Sequence, residues 1–177
     1  MKKGRSSSDG AKPSQKPSRL GKKFQIDLLV FDFDGVLTDN TVYVADDGSE
    51  AVRCNRSDGL GFDMFHAATL PVFILSTERN GVVARRAEKL RVPCLHGVGD
   101  KASALREHCR KNHIPLERVA YVGNDLNDLA VMKIVGIRWC PSDAHPAIRR
   151  LADRVLRARG GAGVAREIAE ELLHLHC

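Results

Sequence analysis

The chain has 177 residues, a formal net charge of +6 and 43% hydrophobic residues, enough for one domain with a buried core. No apolar run approaches the roughly 20 residues that span a bilayer, and residues 1–23, rich in Lys, Ser and Pro, lack the apolar stretch of a secretory signal. Cys54, Cys94, Cys109, Cys140 and Cys177 are scattered, odd in number and form no C-x-x-C pair, which points to reduced thiols in a cytoplasmic protein rather than a disulfide scaffold.

The charge is uneven. In residues 1–23 eight Lys or Arg stand against Asp9 alone, which leaves residues 24–177 at −1. The expected organisation is a disordered basic tail over 1–23 and one folded domain over 24–177. Such a tail can attract nucleic acid or anionic lipid, but a solvated extension is the simpler expectation, with no nucleic-acid partner. His174, His176 and Cys177 could grip a metal, although a chain end holds ligands poorly.

From Ile26 onward, strand-length apolar runs alternate with helix-period segments. Ile26 to Phe31 reads as a buried parallel strand. Thr41 to Ala45, the turn Asp46-Asp47-Gly48 and Glu50 to Cys54 read as a β-hairpin, placed where a plain βα unit would begin its helix. Strands follow at Pro71 to Leu75 and Val92 to Leu95, with a helix around Val82 to Leu90 between them. Asp100 is a candidate N-cap for a helix reaching about Lys111. Next come a strand at Val119 to Val122, a helix at Asp128 to Ile134 and a strand at Ile137 to Cys140. A helix at His145 to Ala152, an extended Arg154 to Leu156 and a last helix carrying Val164, Ile168 and Leu172 complete the chain. The fold class expected is α/β: a doubly wound, mostly parallel sheet with one inserted hairpin.

In such sheets ligands bind beyond the carboxyl ends of the strands, and polar clusters stand there. Asp32 and Asp34 follow the first strand, Ser76 and Thr77 the second, Lys101 lies past the third, and Gly123 to Asp128 follow the fourth. The D-x-D-G set at Asp32 suits phosphoryl transfer, because a carboxylate can attack phosphorus and Mg²⁺ binds through few protein oxygens. A second acid must serve the leaving group and the water. Ser76 and Thr77 offer hydroxyls and N–H groups to phosphate oxygens, and Lys101 offers a positive charge. Asn124 and Asp125 bring side-chain oxygens to a third metal-ligand position, with Asp128 behind them.

These motifs resemble the haloacid dehalogenase superfamily, and within it the capless phosphatases of eight- and nine-carbon sugar acids. Related to that branch is the C-terminal domain of some CMP-sialic acid synthetases. The likeness runs from about Ile26 to Leu173. It includes Asn55 and Ser57-Asp58-Gly59, Ala120 to Met132, Asp143-Ala144-His145-Pro146, and Gly160 to Glu167. The last two stretches suggest no chemistry of their own.

The resemblance implies that Asp32 is nucleophile and Mg²⁺ ligand, and that Asp34 is the acid/base and offers its carbonyl to the metal. Ser76 and Lys101 would hold the phosphoryl group. Asn55, Asp58, Gly59 and Thr77 would belong to the substrate site. It also implies no cap domain and a homotetramer with active sites at subunit interfaces, roofed by the hairpin and a neighbour's chain end.

Two departures stand out. The superfamily usually has Asp where this chain has Asn124, which costs one negative charge at the metal and leaves open whether Asp125 substitutes. The synthetase domains also have Asn there, so an assembly module without turnover is the reading from another class. The eight-carbon (KDO-8-phosphate) enzymes have Arg in place of Glu78 and another Arg near Asp63. Glu78, Arg86 and Lys89 instead resemble the set of KDN-9-phosphate phosphatases. Arg86 and Lys89, three apart on one helical face, could clamp a sugar carboxylate. The substrate expected is therefore KDN-9-phosphate or N-acetylneuraminate-9-phosphate, with KDO-8-phosphate as the alternative.

Overall fold

A computed structural model describes residues 25–173; the basic stretch 1–23 and the His174, His176 and Cys177 group lie outside the described residues. In chain order the elements are β1 (Leu28–Phe31), β2 (Thr38–Val44), β3 (Glu50–Cys54), α1 (Arg56–Ala67), β4 (Val72–Leu75) and α2 (Val82–Leu90). There follow β5 (Cys94–Leu95), α3 (Lys101–Lys111), β6 (Val119–Val122), α4 (Leu129–Met132), β7 (Ile137–Cys140), α5 (Pro146–Leu151), β8 (Arg154–Val155) and α6 (Val164–Leu172).

Six strands form one parallel sheet in the order β5-β4-β1-β6-β7-β8. Alternate residues of each strand face opposite layers. Leu29, Phe31, Ile74 and Val122 pack under α1, α2 and α6, while Val30, Leu75 and Tyr121 pack under α3, α4 and α5. Helices on both faces explain why β1, β4 and β6 are buried at every residue. Phe31, Phe62 and Phe65, with ring centroids 5.3–6.1 Å apart, fasten α1 to the strand that leads into Asp32.

The chain leaves β1 toward β4 and β5, then crosses back to β6 on the other side of β1. That reversal opens a crevice at the carboxyl ends of β1 and β6. The expected hairpin is present as antiparallel β2 and β3, with β2 starting at Thr38 rather than Thr41. It is the insertion between β1 and α1, and no cap domain occurs among the described residues.

Helix α1 was not foreseen from periodicity. Gly59 and Gly61 inside it cost about 1 kcal/mol each in helix propensity and interrupt its apolar stripe. Three local features outweigh that cost. Asn55 caps it by accepting from Ser57 N at 2.9 Å, Phe62 and Phe65 anchor it, and Gly61 lets the Ala165 backbone approach where a Cβ would stand 2.7 Å away. The segment expected as a helix from Asp128 to Ile134 is a 3-10 turn at Leu126–Asp128 followed by the short α4.

Asp58 corrects an expectation. Assigned to the substrate site, it is instead 1% exposed and turned into the core, where its Oδ1 accepts from Ala165 N at 2.8 Å. Helix α6 begins after Gly163, which has no side chain to cap it, so a carboxylate from α1 takes over that role. Burial raises the Asp58 pKa from 3.8 to about 6 against the pull of these N–H groups. A raised folded-state pKa gives stability that is complete below about pH 4 and lost as pH rises through about 6. Unfolding free energy measured across that window should fall with pH. Asp58→Asn and Asp58→Ala should both flatten the slope, and Asp58→Ala should destabilise by about 1–2 kcal/mol below about pH 4.

Candidate active site

Asp32 leaves β1 at its carboxyl end and Lys101 opens α3. Both are buried, with side chains 4% and 1% exposed. The Lys101 ammonium lies 2.7 Å from Asp32 Oδ1 and 2.7 Å from Asp128 Oδ1. Asp128 is satisfied on all sides: Tyr121 Oη donates to Oδ1 at 2.8 Å, and the Asn124 and Asp125 N–H groups donate to Oδ2 at 2.8 and 3.3 Å. Two carboxylates share one ammonium on a dry floor, so ionising both would leave a surplus negative charge there. Burial, then the Asp128 charge, push the Asp32 pKa up to about 8 against the pull of Lys101. Burial disfavours charge on Lys101 too, but the two carboxylates outweigh it and its pKa is raised.

Three oxygens converge above this floor. Asn124 turns Oδ1 toward Asp32 Oδ2 at 3.2 Å and toward the Asp34 carbonyl oxygen at 2.9 Å. Oxygens so close repel one another unless a proton or a cation lies among them. Turning the amide over would make Nδ2 a donor to both; a cation requires the oxygen-inward orientation. Mg²⁺ bound octahedrally at about 2.0–2.1 Å sets neighbouring ligand oxygens about 2.9 Å apart. In the oxygen-inward orientation the spacing and the hard oxygen donors fit Mg²⁺. One carboxylate, one carbonyl and one amide would make the set; no cluster of three His, Cys, Asp or Glu suited to a metal occurs among the described residues. Asp125 lines the same cleft, but its Oδ1 accepts from Leu126 N at 2.7 Å and caps the 3-10 turn.

The cleft above has a volume of about 340 Å³ and is lined by Asp32, Asp34, Asn40, Thr77, Asn124, Asp125, Leu126 and Asn127. Asp34 is half-buried; burial, then the charge of Glu78, raise its pKa, while Lys101 and the Thr38 hydroxyl pull it down. A carboxyl that holds its proton more tightly suits a group that must protonate a leaving alkoxide. Ser76 is buried after β4, its Oγ accepting from Glu78 N at 3.0 Å.

The remaining expected residues are not gathered here. Asn55 accepts at the start of α1 and reaches Gly161 O at 3.4 Å. Gly59, Arg86 and Lys89 line a separate cleft with Arg56, Leu60, Asp63, Leu90 and Arg91, and Arg86 donates to Asn55 O at 2.9 Å. Within one chain, therefore, Arg86 and Lys89 do not reach the Asp32 cleft, and Asp58 belongs to the core.

Sequence reasoning missed Asn40, Asn127 and Tyr121. Asn40 has φ +62°, a conformation Asn tolerates better than most residues, and Asn127 Nδ2 reaches Thr77 Oγ1 across the mouth at 3.4 Å. Tyr121 carried a readable signal, a hydroxyl in an otherwise apolar buried strand, which demands a polar partner.

A buried carboxylate beside a Lys and a three-oxygen cation site, at the switch point of a parallel sheet, defines a metal-dependent phosphohydrolase. The family model for haloacid dehalogenase-like hydrolases matches residues 92–168. The 3-deoxy-D-manno-octulosonate 8-phosphate phosphatase of Escherichia coli K12 is 36% identical over 155 residues, 87% of this chain and 82% of that protein. Among solved structures, a HAD family hydrolase from Streptomyces avermitilis superposes with TM-score 0.83 at 44% identity, over 86% of this chain and 88% of its own. The 3-deoxy-D-manno-octulosonate 8-phosphate phosphatase of Moraxella catarrhalis, solved with magnesium, phosphate and KDO, gives 0.82 at 29% identity, over 86% and 88%. The chain belongs to the haloacid dehalogenase-like hydrolases. It is a phosphomonoester hydrolase, and its cofactor is Mg²⁺.

Asn124→Asp adds a charge at the third ligand. Calorimetric titration without substrate should give Mg²⁺ binding tighter by about ten-fold, and the metal-free protein should melt lower because a further carboxylate is crowded against Asp32.

Proposed function

We propose that the enzyme releases phosphate from an eight- or nine-carbon sugar acid through a phosphorylated Asp32. The observation that carries this chemistry is the buried Asp32 carboxylate, paired with the Lys101 ammonium and faced by the Asn124 side-chain amide, which also meets the Asp34 carbonyl. An Asp32 carboxylate oxygen forms a bond to phosphorus as the ester oxygen leaves, and Asp34 gives that oxygen its proton. Asp34, now ionised, takes a proton from the water that attacks the same phosphorus, which frees phosphate and restores Asp32. Lys101 and Ser76 hold phosphoryl oxygens, and bound Mg²⁺ supplies charge against the phosphoryl group.

Among substrates, KDO-8-phosphate has the better support, because the named relatives act on it and align along most of both chains. A nine-carbon substrate such as KDN-9-phosphate or N-acetylneuraminate-9-phosphate is favoured by one residue. Glu78 stands close enough to Asp34 to raise its pKa, at the position where the resemblance puts Arg in the eight-carbon enzymes.

We further propose a homotetramer. Val42, Tyr43 and Val44 of the hairpin are 51%, 66% and 65% exposed, an apolar surface that another copy would cover. A neighbour would also bring its own Arg86 and Lys89 toward the substrate carboxylate. A non-catalytic assembly module is disfavoured by the intact buried set Asp32, Lys101 and Asp128.

Phosphate release from the three sugar phosphates, with Mg²⁺, with EDTA and with Asp32→Asn, tests the reading. Release is expected only with Mg²⁺ and an intact Asp32, and fastest from KDO-8-phosphate. Faster turnover of the nine-carbon esters would move the assignment to the Glu78 reading, and no release from any would overturn both. Light scattering should give a mass about four times 19.5 kDa.

A further inference from the structure

Two stretches have no part in the cleft lining: Asp143 to Pro146, after β7, and the glycine-rich loop that leads into α6. Both are fastened to the turn that carries Asp34. Gly161 N donates to Val36 O at 3.0 Å. Gly160 lies so close that a Cβ there would stand 2.2 Å from Gly35 O and 3.0 Å from Thr38 O. Gly35, at φ +76°, has the Asn124 amide where its own Cβ would be, 1.9 Å from Nδ2. The Asp34-Gly35 turn is thus held between the Asn124 side chain and the Gly160 backbone. A shift of Gly160 must displace Gly35, and with it both the carbonyl and the carboxyl of Asp34.

One short segment grips both jaws. Asp143 Oδ1 accepts from Gly160 N at 2.9 Å, and His145 N donates to Asn124 O at 2.8 Å. Other elements brace the loop: Glu167 accepts from Arg157 N and Ala158 N at 2.9 and 2.7 Å, and Asn55 Nδ2 reaches Gly161 O. Asp143 also pairs with Arg159 through Oδ2, at 3.2 Å.

We infer that Asp143 is a positioning residue for catalysis: it presses Gly160 against Gly35 and so aims the Asp34 carbonyl at the cation and the Asp34 carboxyl at the leaving group. The inference rests on the roles proposed for Asp32 and Asp34. It accounts for two stretches of sequence that no chemical step explained.

The test compares Asp143→Ala, Asp143→Asn and Arg159→Ala by steady-state kinetics and by the Mg²⁺-induced rise in Tm without substrate. Asp143→Ala should lower kcat roughly ten-fold, leave KM within about two-fold and shrink the Mg²⁺-induced rise. Asp143→Asn keeps an oxygen for Gly160 N and should recover both properties. Arg159→Ala removes only the ion pair, at a side chain 76% exposed, and should behave as the parent. Normal kcat and Mg²⁺ response in Asp143→Ala would overturn the inference, as would equal losses in Asp143→Ala and Asp143→Asn. Asp32→Asn in the same assay separates the layers. If it still releases phosphate, the catalytic reading and this inference fall together; if it is inactive while Asp143→Ala is normal, only the positioning role falls.

Discussion

The Lys101 ammonium held between Asp32 and Asp128 is the contact on which the site depends. Each charge taken into a dry interior costs several kcal/mol, repaid only if every partner is in place. Here the partners come from three elements: β1 ends in Asp32, α3 begins with Lys101, and β6 leads into the turn that carries Asp128. Tyr121 and two backbone N–H groups complete the Asp128 shell. The trio therefore fixes where those elements end relative to one another. Ionising both carboxylates would leave it one negative charge in excess, which is why the Asp32 pKa is raised to about 8; a cation bound there would replace that proton.

One of the three donors at the candidate cation site is backbone, the Asp34 carbonyl. The Asp34 carbonyl can face Asn124 only if the chain turns sharply after Asp34, which Gly35 allows at φ +76° with no side chain in the way of the amide. That freedom would also make the turn soft. Packing of Gly160 and Gly161 behind it removes the softness, so one glycine permits the turn while another, far away in sequence, restrains it. Asp58, from a third element, anchors the helix that follows the restraining loop.

Much of this was legible in the sequence. Strand-length apolar runs marked β1, β4, β6 and β7 because strands covered on both faces need no alternation. Asp100 was readable as a cap because its carboxylate does accept from Ser103 N, at 3.0 Å. The four polar clusters could be placed at strand ends, and Asp32, Lys101, Asn124 and Asp128 do lie together. Other features depended on contacts invisible to local pattern. Helix α1 carries two glycines, of which Gly61 allows a close approach to α6. Asp58 looked like a polar residue beside a motif, yet its partner is Ala165, more than a hundred positions on. Arg86 and Lys89 do share a helical face, as their spacing suggested, but periodicity cannot say which cleft that face meets.

The placement of the positive charge bears on how a substrate with two anionic ends would be held. The lining of the Asp32 cleft contains acids, amides, Thr77 and Leu126, with no Arg or Lys among them. Lys101 lies beneath, paired with Asp32 and Asp128. A sugar acid carries its carboxylate at the end remote from its phosphate, and that second charge finds no cation on the same cleft wall. The chain's cationic cleft, with Arg56, Arg86, Lys89 and Arg91, lies elsewhere, and its one acid, Asp63, is already paired with Arg91 at 2.7 Å. The two clefts share no lining residue, so under the proposed function a second chain would supply the cations for the carboxylate end. On this argument the proposed assembly would serve substrate recognition itself, with the exposed Val42, Tyr43 and Val44 of the hairpin as the surface a second chain would cover.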